Sequence, residues 1–363
     1  MRWRSLAVVL GALLIGTGCG SSASSTDPIP SDEVAALGGD DAAAELERLY
    51  KAASEAGEDL VIVYGAGELD RQPVYRAFEK RFPGIRVRAE QISGPQLTSR
   101  VEGEMASGKH VADLSQTGDT TTVDFAAKGW FEPFAPRSAA GLAEQWSDPR
   151  GRFRAAAAAL FGIAYNTDDV PEAEAPKAWD DLLDPKWRGR LAMEDPTHAG
   201  PSQGVLTRLL YDDGYDEGWM RRLAAQRPTL LPGTPEVGTA LATGQHPLTP
   251  VYPYSFYLRD KKKNAPIGFV FPVQGGNQIS GHYLALMKGA PHPNAAKLVY
   301  AWLFTPEGQK ELAAVGLYTT MPGSPAPGGF PALDRLDVLK SAPFSETIDV
   351  SRQSLGTLKR VFG

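Results

Sequence analysis

Residues 60–88, LVIVYGAGELDRQPVYRAFEKRFPGIRVR, decide the fold. The run 60–64 is short, apolar and rich in β-branched and aromatic side chains, the signature of a buried strand. Apolar residues at helical spacing follow over 73–82, and 85–88 alternates as a second strand. A helix at 96–107 and a strand at 111–114 extend the series to βαβαβ order, which predicts an α/β layer fold.

Downstream the pattern starts again. Residues 161–165, 191–193 and 249–252 read as further strands, 283–287 as a return strand, and 294–305 and 306–315 as two consecutive helices. The spacing predicts two α/β lobes, one from 45–160 plus 281–320 and the other from 161–280, with 321–363 as a C-terminal helical segment packing on them. The chain crosses between lobes near 155–165 and 275–285, and these crossings are the expected hinges. Open α/β sheets place ligands beyond the carboxyl ends of their strands, so a ligand belongs in the cleft between the lobes.

Upstream, Arg2 and Arg4 precede a ten-residue apolar run over 6–15, followed by Gly16, Thr17 and Gly18. At about 1.5 Å per residue such a helix covers roughly 15 Å, half of what a bilayer span needs, so residues 1–18 read as an export signal peptide. Residues 19–44, rich in Ser, Gly, Pro and Asp at their start, have the composition of a flexible tether. The chain has one cysteine, Cys19, so it forms no internal disulfide or multi-cysteine metal site. Loss of residues 1–18 leaves 35 basic against 43 acidic residues, a formal charge of −8. This balance argues against nucleic acid as partner, because phosphate backbones need clustered Lys and Arg.

Gly16-Thr17-Gly18-Cys19 resembles the lipobox of bacterial lipoproteins, with Gly16 in place of the usual leucine; the resemblance implies acylation of Cys19 and a lipid anchor on the outer face of the cytoplasmic membrane, at the cell surface or in the periplasm. Residues 60–67 with the turn 82–84, residues 102–119, the stretch 179–196 (WDDLLDPKWRGRLAMEDP) and the stretch 290–309 (APHPNAAKLVYAWLFTPEGQ) resemble the extracellular solute-binding proteins of the ferric-iron and related importers. That resemblance implies the type 2 periplasmic-binding-protein fold and the role of substrate-binding component of an ABC transporter: capture of a small solute and delivery to a membrane permease, without catalysis and without a cofactor. Trp179, Trp187, Trp302 and Phe304 are expected to fill cores.

Four loops after strands are the candidate ligand contacts. Gly67 and Glu68 follow the first strand, in a loop whose glycines admit close backbone approach. Gln116, Thr117 and Asp119 follow the strand at 111–114, where the same residues also suit a helix cap. Thr197, His198, Gly200 and Ser202 lead into a helix at 203–210, whose amino terminus would suit an anionic ligand group. Tyr252, Tyr254 and Tyr257 form a phenolic wall suited to an organic solute. The iron-binding members carry two adjacent tyrosines here and this sequence has none, so no direct metal site is expected.

Rival readings have less behind them. Gly200-Pro201-Ser202-Gln203-Gly204 matches the nucleophile-elbow pattern G-x-S-x-G, with Asp260 and His282 downstream in triad order, so a secreted serine hydrolase using Ser202 is the alternative. That elbow needs a strand ending at the serine, whereas seven residues including Pro196 separate Met193 from Pro201. The five histidines, His110, His198, His246, His282 and His292, show no metal-ligand spacing. A purely structural surface lipoprotein would not need polar loops at the strand ends.

Overall fold

A computed structural model describes residues 31–65, 68–198, 200–211, 215–272, 278–328, 330, 332–335 and 342–363. The chain enters through α1 (Ser31–Ala36) and α2 (Asp40–Ala56). The expected tether therefore gives way to helix before residue 44: Leu37, Ala42 and Ala43 are buried, and burial of these apolar groups against the first lobe is what orders this part. Cys19 and the signal segment lie outside the described residues.

The βαβαβ series is present as β1 (Leu60–Gly65), α3 (Gln72–Arg81), β2 (Arg86–Gln91), α4 (Gly94–Ser107), β3 (Leu114–Thr117), then α5 (Asp119–Ala127) and the short β4 (Phe131–Glu132). The third strand sits three residues later than its apolar pattern predicts. Glu104 of α4 accepts from the amides of Val111 (2.9 Å) and Ala112 (3.3 Å), so these residues bond to a side chain rather than to the ladder. Gln116 and Thr117 thus belong to a strand and not to the loop after it.

The chain then runs through the 13-residue β5 (Arg154–Asn166) into β6 (Ala192–Glu194), α6 (Pro201–Tyr211), α7 (Glu217–Ala225), β7 (Thr229–Leu231), α8 (Thr234–Ala242), β8 (Leu248–Pro253), α9 (Tyr254–Lys262) and β9 (Ile267–Val270). It returns along β10 (Gln278–Met287) to α10 (Pro293–Leu303), α11 (Pro306–Ala314) and β11 (Tyr318–Thr319), and closes with α12 (Thr347–Phe362).

The strands β5 and β10 make the two-lobed shape. Main-chain pairing runs β11-β5-β10-β3-β1-β2, with β1, β2 and β3 parallel and β10 antiparallel to both β3 and β5. Beyond Leu160 the same β5 pairs with β8 and β9 of the second lobe. One long strand is thus shared by both lobes, and β10 lies beside it at the crossing. Gly162 is required there, since a Cβ would meet the Val270 carbonyl oxygen at 2.4 Å.

The first lobe packs Leu46, Phe78 and Trp302 on one face of its sheet and Ile62, Phe125 and Phe153 on the other. The second has its own core around Trp179, Trp187, Met193 and Trp219. Trp179, Trp187, Trp302 and Phe304 are each buried, as core-filling aromatics should be. The helix α12 spans the two: Leu358 is buried in the second core, while Thr120 of α5 donates to Ser351 at 3.3 Å.

Candidate functional site

A cleft of about 1240 Å3, part of it open solvent, lies between the lobes. Its first wall is the end of β3 and the start of α5, including Thr117, Gly118 and Asp119; its second is Glu194, Gly200 and the α6 face of Gln203, Thr207 and Arg208. Gln278, Ser280 and His282 of β10 form the floor, and Thr347, Val350 and Ser351 of α12 complete the border. Placement follows from the strand-end rule: β3 and β6 both point their carboxyl ends at this space.

The walls touch through one charged pair. Arg208 Nη2 of the second lobe donates to Asp119 Oδ2 of the first at 2.7 Å, and Ser280 Oγ donates to Asp119 Oδ1 at 3.4 Å. Thr117 and Thr122 share a hydroxyl hydrogen bond of 2.7 Å that fixes the turn into α5. His282 Nδ1 accepts from Arg71, and burial together with that cation holds its pKa well below the ordinary imidazole value, so the ring stays neutral with its proton on Nε2.

Glu194 is the unexpected member. Its carboxylate lies against Gly200 at the head of α6, and its pKa is pushed up to about 7, chiefly by burial and further by Glu236 and Asp195, with the Ser202 N–H opposing the rise. The helix amino terminus that the sequence assigns to an anionic ligand group is therefore occupied by the chain's own carboxylate. Gly200 makes room for it: a Cβ there would stand 2.6 Å from Glu194 Oε1.

Of the sequence candidates, Thr117, Asp119 and Gly200 border this cleft. Gly67 lies outside the described residues, and of Glu68 only the backbone is described, in a 3-10 turn. Gln116 is buried inside β3 and does not border the space. Thr197 is turned back onto Asp195, with its amide at 2.8 Å and its hydroxyl at 2.7 Å from Oδ1, and His198 is exposed beside the same carboxylate. Both were expected to contact ligand and instead close a local turn.

The three tyrosines also lie away from the cleft. Tyr252 is fully buried and donates to Asp260 Oδ2 at 2.5 Å. Tyr254 donates to the Gly328 carbonyl at 2.9 Å, stacks with Tyr257 and meets Phe330 edge-on at 4.5 Å between centroids. The C-terminal Ala326, Phe330 and Leu333 pack over Tyr254 and Tyr257, whereas Tyr252 is buried among Val237, Leu241 and Phe256. Nor does a hydrolase triad form. Ser202 is buried as the second residue of α6, Asp260 is held by Tyr252 and Arg259, and His282 Nδ1 is held by Arg71. Among the described residues no group of three or more His, Cys, Asp or Glu side chains is placed to hold a metal ion.

Sequence reasoning missed Glu194, Arg208, Gln278, Ser280 and the α12 residues. Two signals were available. Glu194 directly ends a strand, and Gln278, Ser280 and His282 alternate with Ile279, Gly281 and Tyr283, which puts the polar three on one face.

Residues 65–310 match the family model for bacterial extracellular solute-binding proteins. The chain belongs to that family. This solute-binding protein is 25% identical over 226 residues to an uncharacterized protein of Haemophilus influenzae, covering 56% of the chain and 64% of that relative. It is 26% identical over 193 residues to the Fe(3+)-binding periplasmic protein of Serratia marcescens, covering 49% and 55% respectively. The chain thus spans less than two thirds of the length of these curated relatives.

Its fold is that of the type 2 periplasmic binding proteins. Iron-bound HitA from Pseudomonas aeruginosa superposes with a TM-score of 0.69 at 22% identity, covering 83% of this chain and 99% of HitA. The periplasmic binding protein AfuA from Actinobacillus pleuropneumoniae, solved with fructose-6-phosphate, gives 0.71 at 17% identity, covering 83% and 98%.

Proposed function

We propose that this solute-binding protein is the substrate-binding component of an ABC importer, capturing a small solute in the interlobe cleft and delivering it to a membrane permease, and that it turns nothing over. The observation that supports this reading is the cleft itself, bordered by both lobes and floored by a strand that runs through the crossing. A ligand touching Thr117 and Asp119 on one side and Glu194 and Gln203 on the other has differential affinity for the closed arrangement, and that difference shifts a hinge equilibrium. A permease that prefers the closed, loaded shape then receives the solute.

Export and attachment are part of the same proposal: residues 1–18 direct secretion and an acylated Cys19 holds the protein on the outer face of the cytoplasmic membrane. One acylated residue carrying several chains supplies the two signals that stable anchoring needs. Cys19→Ser should release the protein from the membrane fraction; firm retention would refute the anchor. Binding is tested by melting shifts across a metabolite panel. A ligand at 100 times its dissociation constant adds about 2.7 kcal/mol of stability, so a cognate solute produces a clear rise and a panel without any rise counts against the reading.

A further inference from the structure

Three side chains on the cleft border carry formal charge: Asp119, Arg208 and Glu194. Arg208 is engaged by Asp119 at 2.7 Å, so the pair offers the ligand little net charge. Glu194 is left. Its carboxylate lies against Gly200 at the head of α6, in the place where a helix terminus would otherwise receive an anion. Its Oε2 is buried and has no hydrogen-bond partner among the described residues. Asp195, next along the chain, and Glu236 of α8 add negative potential at this carboxylate, and the imidazole nearby, His198, is turned to Asp195 at 3.3 Å.

A second polar group without partners borders the same space. Gln278 at the start of β10 is 0% exposed, yet neither its Oε1 nor its Nε2 has a hydrogen-bond partner among the described residues. A buried amide left unsatisfied is costly, and a group that meets it on binding recovers that cost. Taken together the cleft offers two acceptors, Glu194 Oε2 and Gln278 Oε1, one amide donor, and negative potential at Glu194.

We propose that Glu194 and Gln278 form a subsite for a positively charged, hydrogen-bond-donating group of the solute, an ammonium or amidinium, and that the protein selects such solutes over phosphates and carboxylates. The proposal rests on the solute-binding reading and adds the ligand class to it. An ammonium has donors and no acceptor, which matches the carboxylate oxygen and the amide oxygen. A phosphate brings two negative charges, meets Glu194 at the head of α6, and finds Arg208 already turned to Asp119.

Isothermal titration of the whole protein at pH 8 tests this, with putrescine, benzamidine and arginine amide as cationic probes and phosphate and citrate as anionic ones. A cationic probe should bind more tightly than either anion. Glu194→Gln keeps the shape of the carboxyl group and removes only its charge, so the fold survives, and affinity for that probe should fall at least tenfold. Gln278→Leu should weaken the same probe several-fold. Tighter binding of phosphate or citrate, or cation affinity unchanged in Glu194→Gln, overturns the charge assignment and leaves solute binding standing. Silence from every probe, with no melting shift across neutral metabolites, overturns both.

Discussion

Two strand-to-helix junctions of the second lobe look alike in sequence and end in opposite environments. Residues 195–202 run from the end of β6 into α6, residues 252–257 are the last two residues of β8 and the first four of α9, and both stretches carry hydroxyl or phenol groups. The first opens on the cleft through Gly200 and the carboxylate of Glu194; the second is closed over by Ala326, Phe330 and Leu333. A strand end offers a ligand only what the rest of the chain leaves uncovered. In the closed loop every phenol that is buried deeply has found a protein acceptor, Asp260 for Tyr252 and the Gly328 carbonyl for Tyr254. At the open junction Glu194 Oε2 has none among the described residues.

The largest expected effect breaks the closed loop. Tyr254 is 6% exposed and touches Tyr257, Phe269 and Phe330, so Tyr254→Ala should cost about 3–5 kcal/mol by urea denaturation, the range for deleting a buried aromatic ring. Ligand affinity should stay within about twofold of the parent, because an uncoupled distant site adds less than about 0.5 kcal/mol. Lost affinity at retained stability would return the tyrosines to the binding surface and end the comparison.

Next in size is the pH dependence of the open loop. Burial raises the folded pKa of Glu194 from 4.5 to about 7, so between these values the folded chain holds a proton that the unfolded chain has released. The stability tied to this group is fully present below pH 4.5 and is lost as pH rises through 7, about 3 kcal/mol in all. In Glu194→Gln that loss should vanish, making the variant the more stable protein at pH 8 without ligand. Parallel urea curves for parent and variant between pH 4.5 and 8 check this; equal slopes would show that the carboxylate is ionised and solvated throughout.

The smallest effect belongs to Ser202. Its Oγ is buried without a partner among the described residues, so Ser202→Ala removes an unsatisfied polar atom and should change stability by less than about 1 kcal/mol. Thermal unfolding measures this, and p-nitrophenyl ester hydrolysis should be absent in parent and variant alike. Hydrolysis by the parent that disappears in the variant would restore the nucleophile reading.

Much of the fold was legible because its signals are local. The strand at 60–65 and the helix at 72–81 announce themselves by periodicity within a few residues. So does α10, with Ala295, Leu298, Val299 and Trp302 on its buried side. The site was legible only in part. Asp119 and Gly200 sit in loops that the strand-end rule marks, whereas Arg208 lies in mid-helix and Ser351 lies 148 residues beyond the glutamine that contacts it at 3.2 Å. No local pattern connects those two.

What the sequence by itself determined is the order of strands and helices, the two-lobed α/β plan and the family resemblance, since each rests on short-range patterns of apolar and turn-forming residues. Tertiary structure alone decided which strand ends remained open and what the crossing is made of. The five alanines 155–159 are intrinsically strong helix formers. They lie instead in β5, buried between β10 and β11, because the crossing leaves width for a pleated backbone with small side chains and supplies main-chain partners on both edges. The same long-range packing laid the C-terminal segment over Tyr254 and Tyr257 and left Glu194 Oε2 and the Gln278 amide without partners among the described residues, since burial and hydrogen-bond satisfaction are properties of neighbours in space that sequence neighbours do not encode.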